Sequence, residues 1–315
     1  MTAVEAEGLT RSYGAVVAVD GLTFALDEGR VLGVLGPNGA GKTTAIRMLT
    51  TILAPSSGRF AVAGIPGGRD REIRGRIGVL PESAGYPGRE SGEEYLAYHG
   101  RLHGRSPADA RATARRLLAD VGLAERGRSL IETYSRGMRQ RLGIARALVN
   151  EPVVVFLDEP TLGLDPQGQR DVLEAVARLA SERGVTVLVS THLLDEVEQV
   201  CTHVLILNRG RVAALGPVAD VIARAAAPRS ARLRTEPGRC EEAVRVLRGV
   251  DAVGMATTVP GGRPGEVAIE LSARLGAEAA GAAALAALLE AGLPVAEFSL
   301  EGGRLSDAFL EVVSA

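Results

Sequence analysis

Lysine, cysteine and aromatic residues are scarce in this 315-residue chain, and each scarcity limits what the protein can be. Tryptophan is absent and aromatic residues make up 3% of the chain, so the core must be built from alanine, valine, leucine and isoleucine. The two cysteines, Cys201 and Cys240, are too few for a disulfide framework and favour a reducing compartment. The 46% of hydrophobic and 23% of charged residues are typical of a globular protein.

Long apolar segments and a strong net charge are also missing. No stretch reaches the roughly 18 consecutive apolar residues that a membrane-spanning helix needs. The first ten residues have neither a basic start nor an apolar run, so no signal peptide is predicted. The net charge of -2 gives no electrostatic reason to expect nucleic acid as a partner. We expect a soluble protein that serves any membrane process through a partner.

Lys42 is the exception among the cations. The chain has 36 basic residues, and because Lys42 is its single lysine the other 35 are arginines. A GC-rich genome would explain the arginines but not the lysine that remains. A compact ammonium differs from a planar guanidinium in the sites it fits, so Lys42 marks a candidate functional position.

The residues around Lys42 form a phosphate-binding pattern. The apolar run 31–35 predicts a strand that is buried on both faces, and Ile46, Leu49 and Leu53 lie on one face of a predicted helix. The turn between them matches G-x-x-x-x-G-K-[ST]. Its residues are Gly36, Pro37, Asn38, Gly39, Ala40, Gly41, Lys42, Thr43 and Thr44. This order predicts a nucleoside triphosphate site in which Lys42 reaches the phosphates and the Thr43 hydroxyl binds Mg²⁺.

Acidic residues and one histidine follow two further predicted strands. The apolar run 153–157 ends in Asp158 and Glu159, and the run 185–189 leads to His192. Ligands of open α/β sheets bind at the carboxyl ends of the strands. We predict that Asp158 holds Mg²⁺ and that Glu159 polarises the attacking water. The alternatives are a solvated pair of acids and, for His192, a cap of the following helix.

The pattern of strands and helices indicates two domains. Strands and helices alternate over 32–207, which predicts a mostly parallel sheet, and the insert 82–150 is expected to be helical. Near residue 228 the pattern changes, and the order strand, helix, strand, strand, helix, strand predicts a ferredoxin-like motif. The predicted strands are 230–235, 251–259, 265–272 and 294–300, and the predicted helices are 239–248, 276–291 and a last one from about 304. We therefore predict a first domain over 1–220, a linker over 221–229 and an accessory domain over 230–315.

Several motifs, in the same order, resemble those of the ATP-binding subunit of an ABC transporter. The resemblance covers about residues 1–220. Besides the phosphate loop, it is carried by Tyr13, residues 55–58 with Gly64, the segment 134–141, Asp158-Glu159-Pro160-Thr161, residues 163–165 and His192. It implies a P-loop NTPase core with a mostly parallel sheet, antiparallel N-terminal strands and a helical insert.

The resemblance also implies roles for individual residues. Tyr13 would stack on adenine, His192 would be the switch histidine, and Ser135 and Gly137 would contact phosphate held by a second copy of the chain. Glu82 would reach Mg²⁺ with a side-chain oxygen, together with Thr43 and Asp158. The catalytic residues would be Glu159, His192 and Lys42.

Two departures from the common motifs point to a branch of the family. In the segment 134–141, Tyr134, Arg136 and Met138 replace the usual leucine, glycine and glutamine. Glu82 stands where many relatives have glutamine. Both departures look like the drug-export branch, which is similar to daunorubicin-type resistance ATPases. A single cassette with a C-terminal tail fits that branch.

The resemblance predicts an ATPase coupled to transmembrane transport. Two copies would close around two ATP molecules, with Mg²⁺, and drive a separate membrane permease that exports a drug or a hydrophobic natural product. The protein would lie at the cytoplasmic face of the membrane as a peripheral subunit, with no nucleic acid as partner.

Other functions remain open at this stage. The cargo could be a lipid, a polysaccharide or an ion. A non-transport ABC ATPase acting on DNA or the ribosome usually has two cassettes, long arms or basic tails, and this chain has none of these. A P-loop kinase would leave Ser135, Gly137 and His192 unexplained.

Overall fold

The computed structural model describes residues 1–82, 85–224, 230–259, 261–272, 275–301 and 304–314. The chain divides into two units, Met1–Val218 and Ala219–Ala315. Within the described ranges, no helix has both the length and the apolar character required to cross a bilayer.

The first unit contains two sheets and their connecting helices. Its strands are β1 (Thr2–Tyr13), β2 (Val16–Asp27), β3 (Val31–Leu35), β4 (Ser57–Val62), β5 (Ile65–Pro66), β6 (Ile77–Leu80), β7 (Val154–Asp158), β8 (Thr186–Ser190), β9 (His203–Asn208) and β10 (Arg211–Pro217). Its helices are α1 (Lys42–Leu49), α2 (Asp70–Arg74), α3 (Gly92–Leu102), α4 (Pro107–Asp120), α5 (Arg136–Ala147), α6 (Pro166–Arg183) and α7 (Leu194–Val200).

The main sheet has the strand order β10-β9-β3-β8-β7-β6. Strands β9, β3, β8, β7 and β6 pair in parallel, and β10 pairs antiparallel with β9 at the edge. All residues of β3, β7 and β8 are buried, as expected for strands covered on both faces. The mostly parallel sheet predicted from the sequence is confirmed, and its central strands end at a common edge.

The N-terminal strands form the second sheet, in the order β2-β1-β4-β5 with antiparallel pairing. Its inward side chains, such as Leu9 and Leu22, share one apolar core with Met48 and Leu49 of α1 and with Phe156 of the main sheet. The antiparallel N-terminal strands predicted from the sequence are therefore present, and α1 packs in the same core as the two sheets.

The segment from Glu82 to Asn150 is helical in its described part, as predicted, and its helices start at serine caps. Ser91 forms a capping box with Glu94. Ser106 accepts the backbone N–H of Asp109 just before a first-turn proline, and Ser135 caps α5 by accepting the N–H of Met138 at 3.2 Å.

Helix α1 is shorter than the apolar pattern predicts. It ends at Leu49, so Leu53 lies beyond the helix, although it still packs against the core. The Thr50 hydroxyl donates to the carbonyl oxygen of Ile46 at 2.8 Å, and Thr51 adopts a φ of 60°. This left-handed residue turns the chain away from the helix axis, which apolar spacing alone does not reveal.

The second unit contains one antiparallel sheet and its helices. Its elements are α8 (Val218–Arg224, beginning at the last residue of the first unit), β11 (Ser230–Arg234), α9 (Cys240–Arg248), β12 (Val253–Thr258), β13 (Glu266–Leu271), α10 (Ala277–Glu290), β14 (Glu297–Glu301) and α11 (Leu305–Ser314). The strand order is β12-β13-β11-β14. This is the predicted βαββαβ arrangement, with alanine, valine and leucine side chains of α9 and α10 against the sheet. Of the predicted linker 221–229, residues 221–224 belong to α8 and 225–229 lie outside the described residues.

Strand β6 and helix α5 approach closely at Gly78. A β-carbon at this position would lie 2.1 Å from the carbonyl oxygen of Ala147, which is backbone and cannot rotate away. The close approach fixes the end of α5 over the strand that leads to Glu82.

We expect Gly78→Ala to destabilise the protein, because overpacking a filled interior costs about 1–3 kcal/mol. Gly85→Ala is the matched control, since a β-carbon there has open space and the backbone needs no left-handed conformation. Thermal unfolding should show a clear loss of stability for Gly78→Ala only. Equal melting temperatures for the two variants would mean that α5 can shift away from β6 without cost.

Candidate nucleotide-binding site

The loop between β3 and α1 can be built only with glycine at two of its positions. Gly41 immediately precedes α1 with a φ of 103°, and a β-carbon on it would lie 2.4 Å from the carbonyl oxygen of Ala18. A β-carbon on Gly36 would lie 2.4 Å from the carbonyl oxygen of Leu207. The loop therefore sits tightly against neighbouring backbone, and α1 begins at Lys42 with its positive dipole end at the loop.

The Lys42 side chain folds back over this loop and is 7% exposed. Its Nζ donates to the carbonyl oxygen of Gly36 at 2.8 Å and to that of Pro37 at 3.4 Å. The same nitrogen lies 3.8 Å from Oε1 of Glu159. The loop and the end of β7 thus hold one ammonium between them.

Asp158 joins three elements at the shared edge of the main sheet. Its Oδ1 accepts the hydroxyl of Ser190 at 2.6 Å and that of Thr43 at 3.3 Å, and the residue is 4% exposed. Asp158 and Ser190 are register partners of β7 and β8, and Thr43 lies in the first turn of α1. Parallel pairing therefore brings the carboxylate to the helix that follows the phosphate loop.

Glu159 has an uncommon backbone conformation that is compensated by hydrogen bonds. Its φ is 49°, in a region that non-glycine residues seldom adopt. Its N–H donates to Oγ of Ser190 at 2.9 Å and to the carbonyl oxygen of Ser190 at 3.1 Å. Strained residues of this kind concentrate at functional sites, so the backbone conformation supports Glu159 as a candidate functional residue.

His192 contacts that carboxylate. Its Nδ1 lies 2.9 Å from Oε2 of Glu159, a geometry in which the ring donates when Nδ1 carries the proton. Glu159 therefore lies between two nitrogen groups, one from His192 and one from Lys42. Helix α7 begins at Leu194 and has no side-chain cap, so His192 does not cap the following helix.

These residues surround a cavity of about 530 Å³, a size in the usual range for small ligands. Its lining residues are Ala18, Asn38, Gly39, Ala40, Gly41, Lys42, Thr43, Thr44, Glu82, Glu159, Leu162 and His192. Residues 38–44 of the phosphate loop, Glu82, Glu159 and His192 are therefore neighbours in space, and Asp158 is next to them through its contact with Thr43.

Tyr13, the expected adenine contact, is not among the described residues that line this cavity. It ends β1, is 47% exposed, and the guanidinium of Arg11 lies 4.8 Å from its ring centroid. The described wall of the cavity includes Ala18 rather than Tyr13.

Ser135 and Gly137 lie in a second cavity, of about 390 Å³. Its other lining residues are Arg136, Arg141, Leu164, Asp165, Gln167, Gly168 and Asp171, and none of them lines the first cavity. A β-carbon on Gly163 would lie 2.5 Å from Nη1 of Arg136, so the loop after β7 packs against the residue that departs from the usual motif.

The donor set of the first cavity fits Mg²⁺. The hydroxyl of Thr43 and the carboxylate of Asp158 meet at one point, and the carboxylate of Glu82 belongs to the same cavity. Mg²⁺ prefers such oxygen ligands and normally takes the rest from water and substrate phosphates. Among the described residues no group of three His, Cys, Asp or Glu side chains could hold an ion.

The sequence analysis missed one buried acid beside the site. Glu196 of α7 is 6% exposed, and its Oε2 accepts the hydroxyls of Thr161 and Thr191, each at 2.9 Å. Burial raises the pKa of Glu196 above its usual value, the two threonine hydrogen bonds oppose this, and the charge of Glu159 raises it further. Ser190 was missed as well. Its place opposite Asp158 depends on the register of β7 and β8, which the sequence does not specify.

Comparison with known proteins shows which family the chain belongs to. The family profile for "ABC transporter" matches residues 19–162. The chain is 38% identical over 310 residues to the daunorubicin/doxorubicin resistance ATP-binding protein DrrA of Streptomyces peucetius, covering 98% of this chain and 91% of that protein. It is 41% identical over 247 residues to the daunorubicin resistance ATP-binding protein DrrA3 of Streptomyces coeruleorubidus, covering 78% of each.

A solved structure shares the fold. The dimeric post-hydrolysis state of the ATP-binding cassette MJ0796, bound to ADP and Pi, superposes with a TM-score of 0.62. The match covers 68% of this chain and 98% of that chain at 23% identity. The chain therefore belongs to the ABC transporter family, as an ATPase subunit related to the drug-resistance ATP-binding proteins.

Proposed function

We propose that two copies of this chain close around two Mg-ATP molecules and that the cycle of closure and hydrolysis drives a separate membrane permease. Each ATP would lie between the phosphate loop of one copy and Ser135 and Gly137 of the other. The cargo would be a drug or a hydrophobic natural product, and the subunit would act at the cytoplasmic face of the membrane.

The separation of the two cavities is the observation that carries this proposal. Lys42, Glu159 and His192 line the first cavity, whereas Ser135 and Gly137 line a second one with no lining residue in common. The α5 helix start at Ser135 is suited to bind an anion but has no phosphate loop in its own cavity. A second cassette would supply it, which is consistent with the dimeric state of the MJ0796 cassette.

We assign the residues in and around the first cavity as follows. Residues 36–44 bind the phosphates, and Tyr13, with its ring half exposed, is the adenine platform. Thr43, Asp158 and Glu82 would hold Mg²⁺, which would neutralise part of the phosphate charge. Glu159 takes a proton from the attacking water, whose oxygen bonds to the γ-phosphorus as the bond to ADP breaks.

The surrounding groups suit Glu159 to this task. His192 orients the Glu159 carboxylate through the contact of 2.9 Å, and Lys42 adds a positive charge at 3.8 Å. Glu159 adopts its left-handed conformation directly after β7, and its side chain lines the cavity. Lys42 and His192 thus support catalysis on opposite sides of one carboxylate.

We infer a division of the chain into a nucleotide-binding domain over 1–220, a linker over 221–229 and an accessory domain over 230–315. Supporting this division, the two compact units meet between residues 218 and 219, and every residue lining the two cavities belongs to the first unit. Export of a drug-like molecule is favoured by the names of the two relatives, which are both daunorubicin resistance proteins.

Mixed dimers test the shared sites. Ser135→Arg and Lys42→Ala should each abolish most ATPase activity alone, because each damages both sites of its homodimer. A mixture should regain activity, since one site of each mixed dimer then carries both lesions and the other carries none. Phosphate release from the mixture is the measurement.

The matched control mixes Ser135→Arg with a chain carrying both substitutions, so that every site retains at least one lesion. Its activity should stay at the level of the single variants. Ser135 also caps α5, and losing such a cap costs about 1 kcal/mol, so thermal unfolding of each variant confirms folding. Equal activity in the two mixtures would contradict the two-copy site.

Glu159→Gln tests the general base. The amide can still accept from His192, so ATP binding should persist, while hydrolysis should fall by about 10²–10⁴-fold. Closed dimers should then accumulate and elute earlier in size-exclusion chromatography with Mg-ATP. Glu125→Gln, the same change at an exposed position outside both cavities, is the control. If Glu159→Gln hydrolyses ATP at the normal rate, another group must be the general base.

Purification from native membranes tests the transport part. We expect a membrane protein to co-purify, and hydrophobic drugs to stimulate ATPase activity of the assembly but not of the isolated subunit. Co-purification with ribosomes or DNA instead would favour a non-transport ATPase. If only lipids or ions stimulate the ATPase activity, the cargo is a lipid or an ion, and the proposed ATPase cycle still holds.

A further inference from the structure

Glu196 is a buried acid close to the Glu159–His192 pair. It is absent from the cavity lining, and it is 6% exposed, whereas Thr161 and Thr191 are each 1% exposed. Both threonine hydroxyls donate to the same oxygen, Oε2, at 2.9 Å. One buried carboxyl group is therefore the common acceptor of two chain segments that come from different strands.

The two threonines belong to the segments that carry Glu159 and His192. Thr161 lies two residues after Glu159, in the connection between β7 and α6. Thr191 immediately precedes His192, and its Oγ1 also accepts the N–H of Leu193 at 3.1 Å. The Glu196 bridge thus spans the same two segments as the contact of 2.9 Å between Glu159 and His192.

Burying a carboxyl group at this position is energetically unfavourable. Its second oxygen, Oε1, is buried and has no hydrogen-bond partner in the part of the chain that the structure describes. Burial raises the pKa of Glu196, with the charge of Glu159 as a further contribution, so the charged form is disfavoured. Apolar side chains at the three positions would avoid both penalties, which suggests that the bridge serves more than stability.

We propose that Glu196 is a positioning residue for ATP hydrolysis: by bridging Thr161 and Thr191 it fixes the segments that present Glu159 and His192 to the attacking water. The proposal rests on the assignment of Glu159 and His192 in the proposed function. Phosphate binding is independent of it, because Lys42 and the loop make their contacts without Glu196.

The first experiment measures kcat, KM and ATP binding for full-length Glu196→Ala and Glu196→Gln. Misplacing a catalytic group by about 1 Å can cost up to roughly a hundredfold in rate, so kcat of the alanine variant should fall by about tenfold to a hundredfold. ATP affinity should change little. The glutamine variant keeps an acceptor oxygen for both hydroxyls and should recover most of kcat. Asp195→Asn, an exposed change in the same turn of α7, is the control.

A second variant separates positioning from folding. Glu196→Leu combined with Thr161→Val and Thr191→Val removes all the polar groups of the bridge together, which avoids leaving a buried hydroxyl without a partner. Its melting temperature should exceed that of Glu196→Ala while kcat stays low. If kcat of the triple variant recovers together with its melting temperature, Glu196 only stabilises the fold. A normal kcat in Glu196→Ala would lead to the same conclusion.

Glu159→Gln distinguishes failure of this inference from failure of the proposed function. If Glu159→Gln is inactive and Glu196→Ala is normal, only the positioning role is wrong. If Glu159→Gln itself turns over normally, the underlying assignment has failed. In the Glu159→Gln background, adding Glu196→Ala should cause little further loss of rate, because the general base on which both positioned segments act is already gone.

Discussion

The site depends on the parallel pairing of three buried strands. Strand β8 pairs with β3 on one side and with β7 on the other, and Ser190 is in register with both Val34 and Asp158. Because all three strands run in the same direction, the phosphate loop, the two acids and His192 emerge at one edge. A slip of one residue in β7 would turn Asp158 to the opposite face of the sheet.

Charge at that edge is balanced by neighbouring groups. Asp158 is stabilised by two hydroxyl hydrogen bonds, whereas Glu159 faces an ammonium and an imidazole. The two adjacent carboxylates therefore have different surroundings, one buried below the cavity and one on its wall. These different environments are consistent with the proposed division into a metal-binding Asp158 and a proton-accepting Glu159.

The sequence was most informative about features that depend on a few consecutive residues. The phosphate loop and the strand-end acids are of this kind, and the predicted strands of both units follow their apolar patterns. What depends on register or on three-dimensional neighbours was missed: Ser190 opposite Asp158, and the bridge from Glu196 to two threonines 35 and 5 residues away. The end of α1 at Leu49 was missed because the hydroxyl of Thr50 and the φ of Thr51 override the apolar spacing.

The surroundings of Lys42 also give a physical reason for the single lysine of an arginine-rich chain. Its ammonium is nearly buried and is shared between the carbonyl oxygens of Gly36 and Pro37, with Glu159 close by. A rotating ammonium can exchange these acceptors for phosphate oxygens by small changes along a flexible stem. A guanidinium is wider and planar, and its five donors would need more acceptors than two carbonyls and one carboxylate arranged around a point. The tight backbone at Gly36 and Gly41 leaves the loop little freedom to widen. Codon bias can replace lysine wherever charge alone matters, and at this position size and donor geometry matter as well.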